Sequence, residues 1–181
     1  SYHLAKNTRV TYAFEPMPNN IKVVDKVKTK YNLTNLHLLT NALGNENKRI
    51  QLVLPEVDGV KKQGLSHVVD DKMTEFNDGS IFETDCYKLD DVTALKGVKV
   101  DAIKIDVENF EYEVFKGAEN LLKTYKPIIY CELWDNQNRE DCFQYLKGLG
   151  YETHVYEHGI LQKIDSNPSH IQNFFFIPKQ T

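Results

Sequence analysis

Apolar residues along the chain switch between the two-residue period of strands and the three-to-four-residue spacing of helices, and the switches divide it into alternating elements. Arg9-Val10-Thr11-Tyr12-Ala13-Phe14 is rich in β-formers, and Pro16 biases Glu15 towards extended backbone, so the spacing predicts a strand carrying a carboxylate at its tip. Ile21, Val24, Val27 and Tyr31 then mark one face of a helix, with Lys22, Lys26 and Lys30 turned to solvent. A second short strand, Leu36 to Asn41, runs into Ala42-Leu43-Gly44-Asn45. Between residues 48 and 92 the pattern changes: Ile50, Leu52 and Leu54 alternate with polar residues, as do parts of Ser80 to Leu89, around a polar excursion from Val57 to Gly79. This predicts extra strands with an irregular insertion that could serve as a lid or acceptor-binding loop.

Regular alternation returns near Lys99. Val100 to Asp106 reads as a strand, Glu111 to Thr124 as one helix with Val114, Phe115, Ala118, Leu121 and Leu122 on its apolar face, and Pro127 to Leu133 as a nearly continuous apolar strand of a buried parallel sheet. Asp141 to Leu149 is a helix closed by Gly150. Tyr151 to Tyr156 and Ile160 to Ile164 flank His158-Gly159 as a hairpin or bent strand, and Asn173 to Pro178 is a last strand with no helix before it. Strand–helix alternation with an antiparallel finish predicts an α/β fold, a mostly parallel doubly wound sheet ending in an antiparallel strand.

Composition narrows the function classes. In 181 residues, 22 Lys and Arg stand against 26 Asp and Glu, a net charge of −4, without the basic surplus on which nucleic-acid binding draws. No apolar run is long enough for a membrane span, and Ser1 to Lys6 lacks a signal-peptide core, so a cytoplasmic protein that binds neither membrane nor nucleic acid is expected. Cys86, Cys131 and Cys142 form no CxxC pair and read as reduced thiols.

Ligands of open parallel sheets bind beyond the carboxyl ends of the strands, which singles out Glu15, Asp106 and Glu132. Glu15 could accept hydrogen bonds from both hydroxyls of a nucleoside ribose, or be a surface acid before a turn. Asp106 could take a proton from an acceptor hydroxyl, orient it, contact a cofactor, or tie down the turn into the following helix. Glu108, two residues on, would share its side if the strand continued. Glu111 and Glu113 fall in the first helical turn, where capping and the helix dipole favour acids over a role in chemistry. Glu132, inside an apolar run, must be paired or face a polar cleft. Asp106, Asp135 and Asn136 could offer oxygens to a magnesium-like cation, although Asp and Asn are equally common turn residues, and no metal is assigned. His67 reads as a solvated loop histidine, and the absence of GxSxG disfavours hydrolase chemistry.

The string Ile103-Lys104-Ile105-Asp106-Val107-Glu108-Asn109-Phe110-Glu111, with Phe115-Lys116-Gly117-Ala118 and Pro127-Ile128-Ile129-Tyr130-Cys131-Glu132, resembles the FkbM family of S-adenosylmethionine-dependent methyltransferases. Tyr12-Ala13-Phe14-Glu15-Pro16-Met17-Pro18, Asn41-Ala42-Leu43-Gly44 and Leu89-Asp90-Asp91 match further family motifs in order. Asn109 stands where the family usually has Gly, a change that Asn tolerates because it can adopt left-handed backbone and can cap a helix.

The resemblance implies a Rossmann-like class I methyltransferase. Glu15 and Pro16 would bind the ribose end of S-adenosylmethionine, Asn41 and Ala42 the adenine, and Asp106 the reacting end. Asp106, Glu108 and Glu132 are the expected catalytic residues, as base or acceptor-orienting groups in O-methylation of a small molecule or sugar. Nothing before Thr11 matches the family's glycine-rich first motif, whose strand would lie between those ending in Glu15 and Asp106. The expectation is one methyltransferase domain over residues 1–181, shortened at its start. An NAD-dependent oxidoreductase, which would need a GxGxxG fingerprint, and a non-catalytic nucleotide-binding domain are the competing readings.

Overall fold

The computed structural model describes residues 1–57, 60–62, 65–69 and 78–179. Helix α1 (Tyr2–Asn7), which the hydrophobic pattern does not foreshadow, precedes β1 (Thr11–Phe14), α2 (Pro18–Lys30) and β2 (Leu36–Leu39). β1 and β2 pair in parallel, Thr11 opposite Leu36 and Phe14 opposite Leu39. The two-residue period gives this small sheet two apolar faces. Ala13 and Leu36 pack with Ala5, Val24, Val27 and Leu33 under α1 and α2, whereas Tyr12, Phe14 and Leu39 pack against the main core. α2 starts earlier than the apolar spacing suggests because Pro18 fits the first helical turn, where its missing N–H costs nothing.

A second sheet comprises β3 (Ala42–Leu43), β4 (Lys48–Val57), β5 (Val60–Lys61), β6 (His67–Val68) and β7 (Gly79–Tyr87), in the order β3-β7-β4-β5 with β6 also on β4. β4 and β7 pair antiparallel from Lys48 opposite Cys86 to Pro55 opposite Gly79. Ile50, Leu52 and Leu54 point into a core completed by Met17, Ala42 and Cys86. His67 is not a solvated loop histidine: β6 pairing sets it opposite Val53, where it is 2% exposed with Nδ1 at 2.9 Å from the Leu65 carbonyl. Residues 70–77, the middle of the expected lid or acceptor-binding excursion, lie outside the described residues.

The third sheet is built from β8 (Ala102–Ile105), β9 (Ile128–Glu132), β10 (Tyr151–Glu157), β11 (Ile160–Lys163) and β12 (Asn173–Pro178), in the order β11-β10-β12-β9-β8. β8 and β9 are parallel, β10 and β11 form the expected hairpin, and β12 inserts antiparallel between β10 and β9. Helices α3 (Glu111–Lys116), α4 (Glu119–Tyr125) and α5 (Gln137–Gly148) supply the main core. Phe143 of α5 meets Phe174 and Phe176 edge-on. All three cysteines are buried, and burial pushes each thiol above its ordinary range.

Two expectations about the architecture need correction. The apolar run in β9 is not buried on both faces: Ile129, Cys131 and Leu133 are fully buried, but Ile128 is 48% exposed and Tyr130 packs at a tilt against Phe175 on the other side. Nor do the strands of the described residues form one doubly wound sheet. The structure is a mixed α/β fold whose β1–β2 pair and third sheet share a core but no backbone ladder, because among the described residues no strand pairs with the outer edge of β1 or of β8.

The expected single helix over Glu111 to Thr124 is also divided, at Gly117 and Ala118. There the backbone is drawn against another segment: Gly117 O accepts from Asp90 N at 3.0 Å, and a Cβ on Gly117 would lie 1.9 Å from Gly44 O. The restart is capped from outside, with both carboxylate oxygens of Asp90 accepting at 2.9 Å from Asn120 N and Leu121 N. Among the described residues no helix is long and apolar enough to cross a membrane.

Candidate functional site

The ends of β1 and β2 form the first half of the site. Glu15 N continues the ladder to Leu39 O at 3.0 Å, so Glu15 and Asn41 leave neighbouring parallel strands at the same end. Glu15 is half-buried, and its Oε1 accepts from Met17 N at 2.9 Å. Pro16 forces the intervening turn, while Met17, 5% exposed, anchors the segment in the core of the second sheet. Asn41 folds its amide back, Nδ2 donating to Ala42 O at 2.8 Å, and Ala42 is buried opposite Cys86. Glu15, Pro16, Asn41 and Ala42 therefore form one group at the seam between the two larger cores.

Asp106, Glu108 and Glu132 form a second group, at the ends of the parallel strands β8 and β9. Asp106 follows buried Ile105 and pairs with Lys104 Nζ at 2.5 Å. Glu132 ends β9 opposite Asn173, half-buried on the more open face of the sheet. Glu108 does not continue the strand. Its φ is +53° and that of Asn109 is +73°, two successive left-handed residues that turn the chain sharply before α3. Asn109 thus adopts the left-handed backbone expected of it, yet it does not cap α3, whose N-cap position falls to Phe110.

Burial pushes the Glu108 carboxyl up to about 7, and the neighbouring charges of Asp106, Glu111 and Glu132 push in the same direction against a smaller opposing effect from Lys104. Asp106 and Glu132 are therefore each within electrostatic reach of Glu108. Among the described residues no hydrogen bond or ion pair joins them to the Glu15 group. The connection runs through packing, since Phe14 and Leu39 lie against the core that contains Ile105.

Asp135 and Asn136 are engaged elsewhere. Asp135 Oδ1 accepts from Arg139 Nη1 at 3.2 Å. Asn136 caps α5, its Oδ1 taking Arg139 N at 3.4 Å, and its Nδ2 donates to Asn109 Oδ1 at 2.7 Å. Among the described residues no set of three His, Cys, Asp or Glu side chains converges as a metal site.

Two residues around the acids, Lys104 and Arg139, escaped the sequence reading, and a third, Glu111, has a role beyond the one it was given. Lys104 partly offsets the charge on Asp106. Glu111, assigned to the helix dipole, is 2% exposed and accepts from Val107 N at 3.0 Å and from Asn138 Nδ2 at 2.7 Å. Arg139, fully buried, ties the turn after β9 to Asn167 and Pro168. The signal available for Glu111 was its place between Phe110 and Val114, where an acid on an apolar face requires a buried partner.

The arrangement offers carboxylate acceptors at two neighbouring sets of strand ends, one held by its own backbone turn and one with an acid that titrates near neutrality. No curated protein matches the sequence. Among solved structures, the crystal structure of Methyltransferase FkbM from Methylobacillus flagellatus KT is similar in fold, with a TM-score of 0.60 at 14% identity, over 93% of this chain and 36% of that one. The chain thus spans about a third of that protein's length. The family profile described as Methyltransferase FkbM domain matches residues 2–159. The chain therefore belongs to the FkbM methyltransferase family.

Proposed function

We propose that the chain binds S-adenosylmethionine and methylates a hydroxyl group of a small molecule or sugar. The observation that carries this reading is the state of Glu15. One carboxylate oxygen is fixed by Met17 N, which orients the group at the strand end beside Asn41 and leaves Oε2 to accept from a vicinal diol. Such a carboxylate suits the ribose of the cofactor, with Pro16 rigidifying its turn and Asn41 and Ala42 flanking the base. Bound there, S-adenosylmethionine supplies an electrophilic methyl carbon on a sulfonium.

The remaining work falls to positioning and proton removal. Glu108, held near 7, is matched to take the proton of an acceptor hydroxyl at neutral pH while that oxygen forms its bond to the methyl carbon. Asp106 and Glu132 flank it as hydrogen-bond acceptors that orient the hydroxyl and, in the case of Asp106, face the reacting end of the cofactor. Titration calorimetry with S-adenosylhomocysteine tests the assignment. Glu15→Ala should weaken binding by about tenfold through loss of charge-assisted hydrogen bonds. Unchanged affinity in that variant overturns the role of Glu15, and no binding to the parent chain overturns the cofactor.

A further inference from the structure

The turn between β8 and α3 is held against its own backbone preference. Left-handed conformation is unfavourable for most residues with a Cβ, and although Asn109 enters it readily Glu108 does not, so neighbouring structure must impose it there. Two side-chain links reach the turn from the N-cap and first turn of α5. Asn136 Nδ2 holds Asn109 Oδ1, and Asn138 acts through Glu111, whose Oε1 accepts from Val107 N at 3.0 Å and whose Oε2 accepts from Asn138 Nδ2 at 2.7 Å.

The chemistry of this second link explains why residue 111 is an acid although it is 2% exposed. Asn138 Oδ1 accepts from Tyr112 N at 3.3 Å, which fixes the amide so that its NH2 faces Glu111. Two donors, Val107 N and Asn138 Nδ2, therefore converge on one side chain, and only a carboxylate accepts both without presenting a donor to either. A glutamine would oppose NH2 to NH2. Burying the carboxylate is costly unless its oxygens are bonded, and each of them is.

We propose that Glu111 and Asn138 form a positioning pair that imposes the left-handed turn at Val107 to Asn109 and so aims the Glu108 carboxylate at the acceptor. This assignment rests on the methyl-transfer reading. Glu111 is too deeply buried to touch a substrate and acts only through the turn.

The pair can be tested by exchanging its polarity. Glu111→Gln alone opposes two donors, and Asn138→Asp alone opposes two acceptors. The double substitution restores one donor between acceptors, with the new carboxylate still able to accept from Tyr112 N. Each single variant should speed hydrogen exchange of the Val107 amide by about tenfold, while Leu122, whose amide bonds Ala118 O in the core, keeps its protection.

The backbone carbon shifts of Glu108 and Asn109 should lose their left-handed signature in the single variants and regain it in the double one, together with Val107 protection. The proposal is overturned if Val107 and Leu122 change in parallel, if the single variants keep the signature, or if the double variant fails to restore it. A single variant that does not fold supports the pair if the double variant folds with the signature, and overturns it if the double variant also unfolds. These readouts need no ligand, so absence of S-adenosylhomocysteine binding by the parent chain counts against the methyl-transfer reading separately.

Discussion

Gly117 lies so close to Gly44 that a Cβ on it would stand 1.9 Å from the Gly44 carbonyl oxygen and 3.3 Å from Lys88 Cα. The contact locks α3 to the loop after β3, and all the nearby atoms are backbone, which cannot step aside as a flexible side chain does. Gly117→Ala should therefore destabilise the fold by about 1–3 kcal/mol, the usual cost of overpacking. Gly148, near the end of α5, has nothing within 4 Å of the same position. Gly148→Ala should stabilise by about 0.4–1 kcal/mol. Urea unfolding of the two variants checks the contrast, and equal effects would disprove the steric account.

Arg139 has no solvent exposure, yet each nitrogen of its guanidinium donates a hydrogen bond. Nε donates to Trp134 O at 3.0 Å, Nη2 to Leu133 O at 2.7 Å, and Nη1 reaches Asp135, Asn167 and Pro168. A planar fork serves carbonyls in several directions, whereas a lysine ammonium is one point charge. Arg139→Met, which strands these acceptors, should cost about 1–3 kcal/mol, with Arg139→Lys falling between it and the parent. Because Asn136 sits in the turn that Arg139 braces, Arg139→Lys should also speed exchange of the amides around Asn109. An Arg139→Met variant of parental stability refutes this view.

Glu108 makes stability and chemistry pull in opposite directions. Its carboxyl titrates near 4.5 when unperturbed and is raised to about 7 in the fold, so between those values the folded chain holds a proton that the unfolded chain has released. The contribution of Glu108 to stability must therefore fall as pH rises from 4.5 to 7 and level off above that range. Glu108→Gln should raise the melting temperature at pH 8 and leave it unchanged near pH 4, while abolishing the proposed proton acceptor. An equal shift at both pH values, followed by scanning calorimetry, would show that the carboxyl is not perturbed in this way.

The antiparallel finish was legible because no helix precedes β12, although its unbroken run Phe174-Phe175-Phe176-Ile177 hides that Phe174 and Phe176 enter the core and Phe175 does not. Asn109 likewise announced a left-handed turn, since Asn is one of the few residues that enter that region readily. What could not be read locally depends on partners far along the chain. Glu111 looks like a dipole acid until Asn138, 27 residues later, is placed against it. Gly117-Ala118 would continue a helix if Gly44 and Asp90 did not interrupt it. His67 looks solvated until β4 pairs with its strand, and the hydrophobicity of β9 hides the fact that one of its faces remains open.

Cys86, Cys131 and Cys142 are at most 1% exposed, their thiols raised by burial from three separate elements, β7, β9 and α5. In this setting they are neither nucleophiles nor oxidant sensors but sealed reporters. Any thiol-specific reagent can reach them only after the chain has opened, so the label each one acquires is a clock for the loosening of its own layer of the molecule.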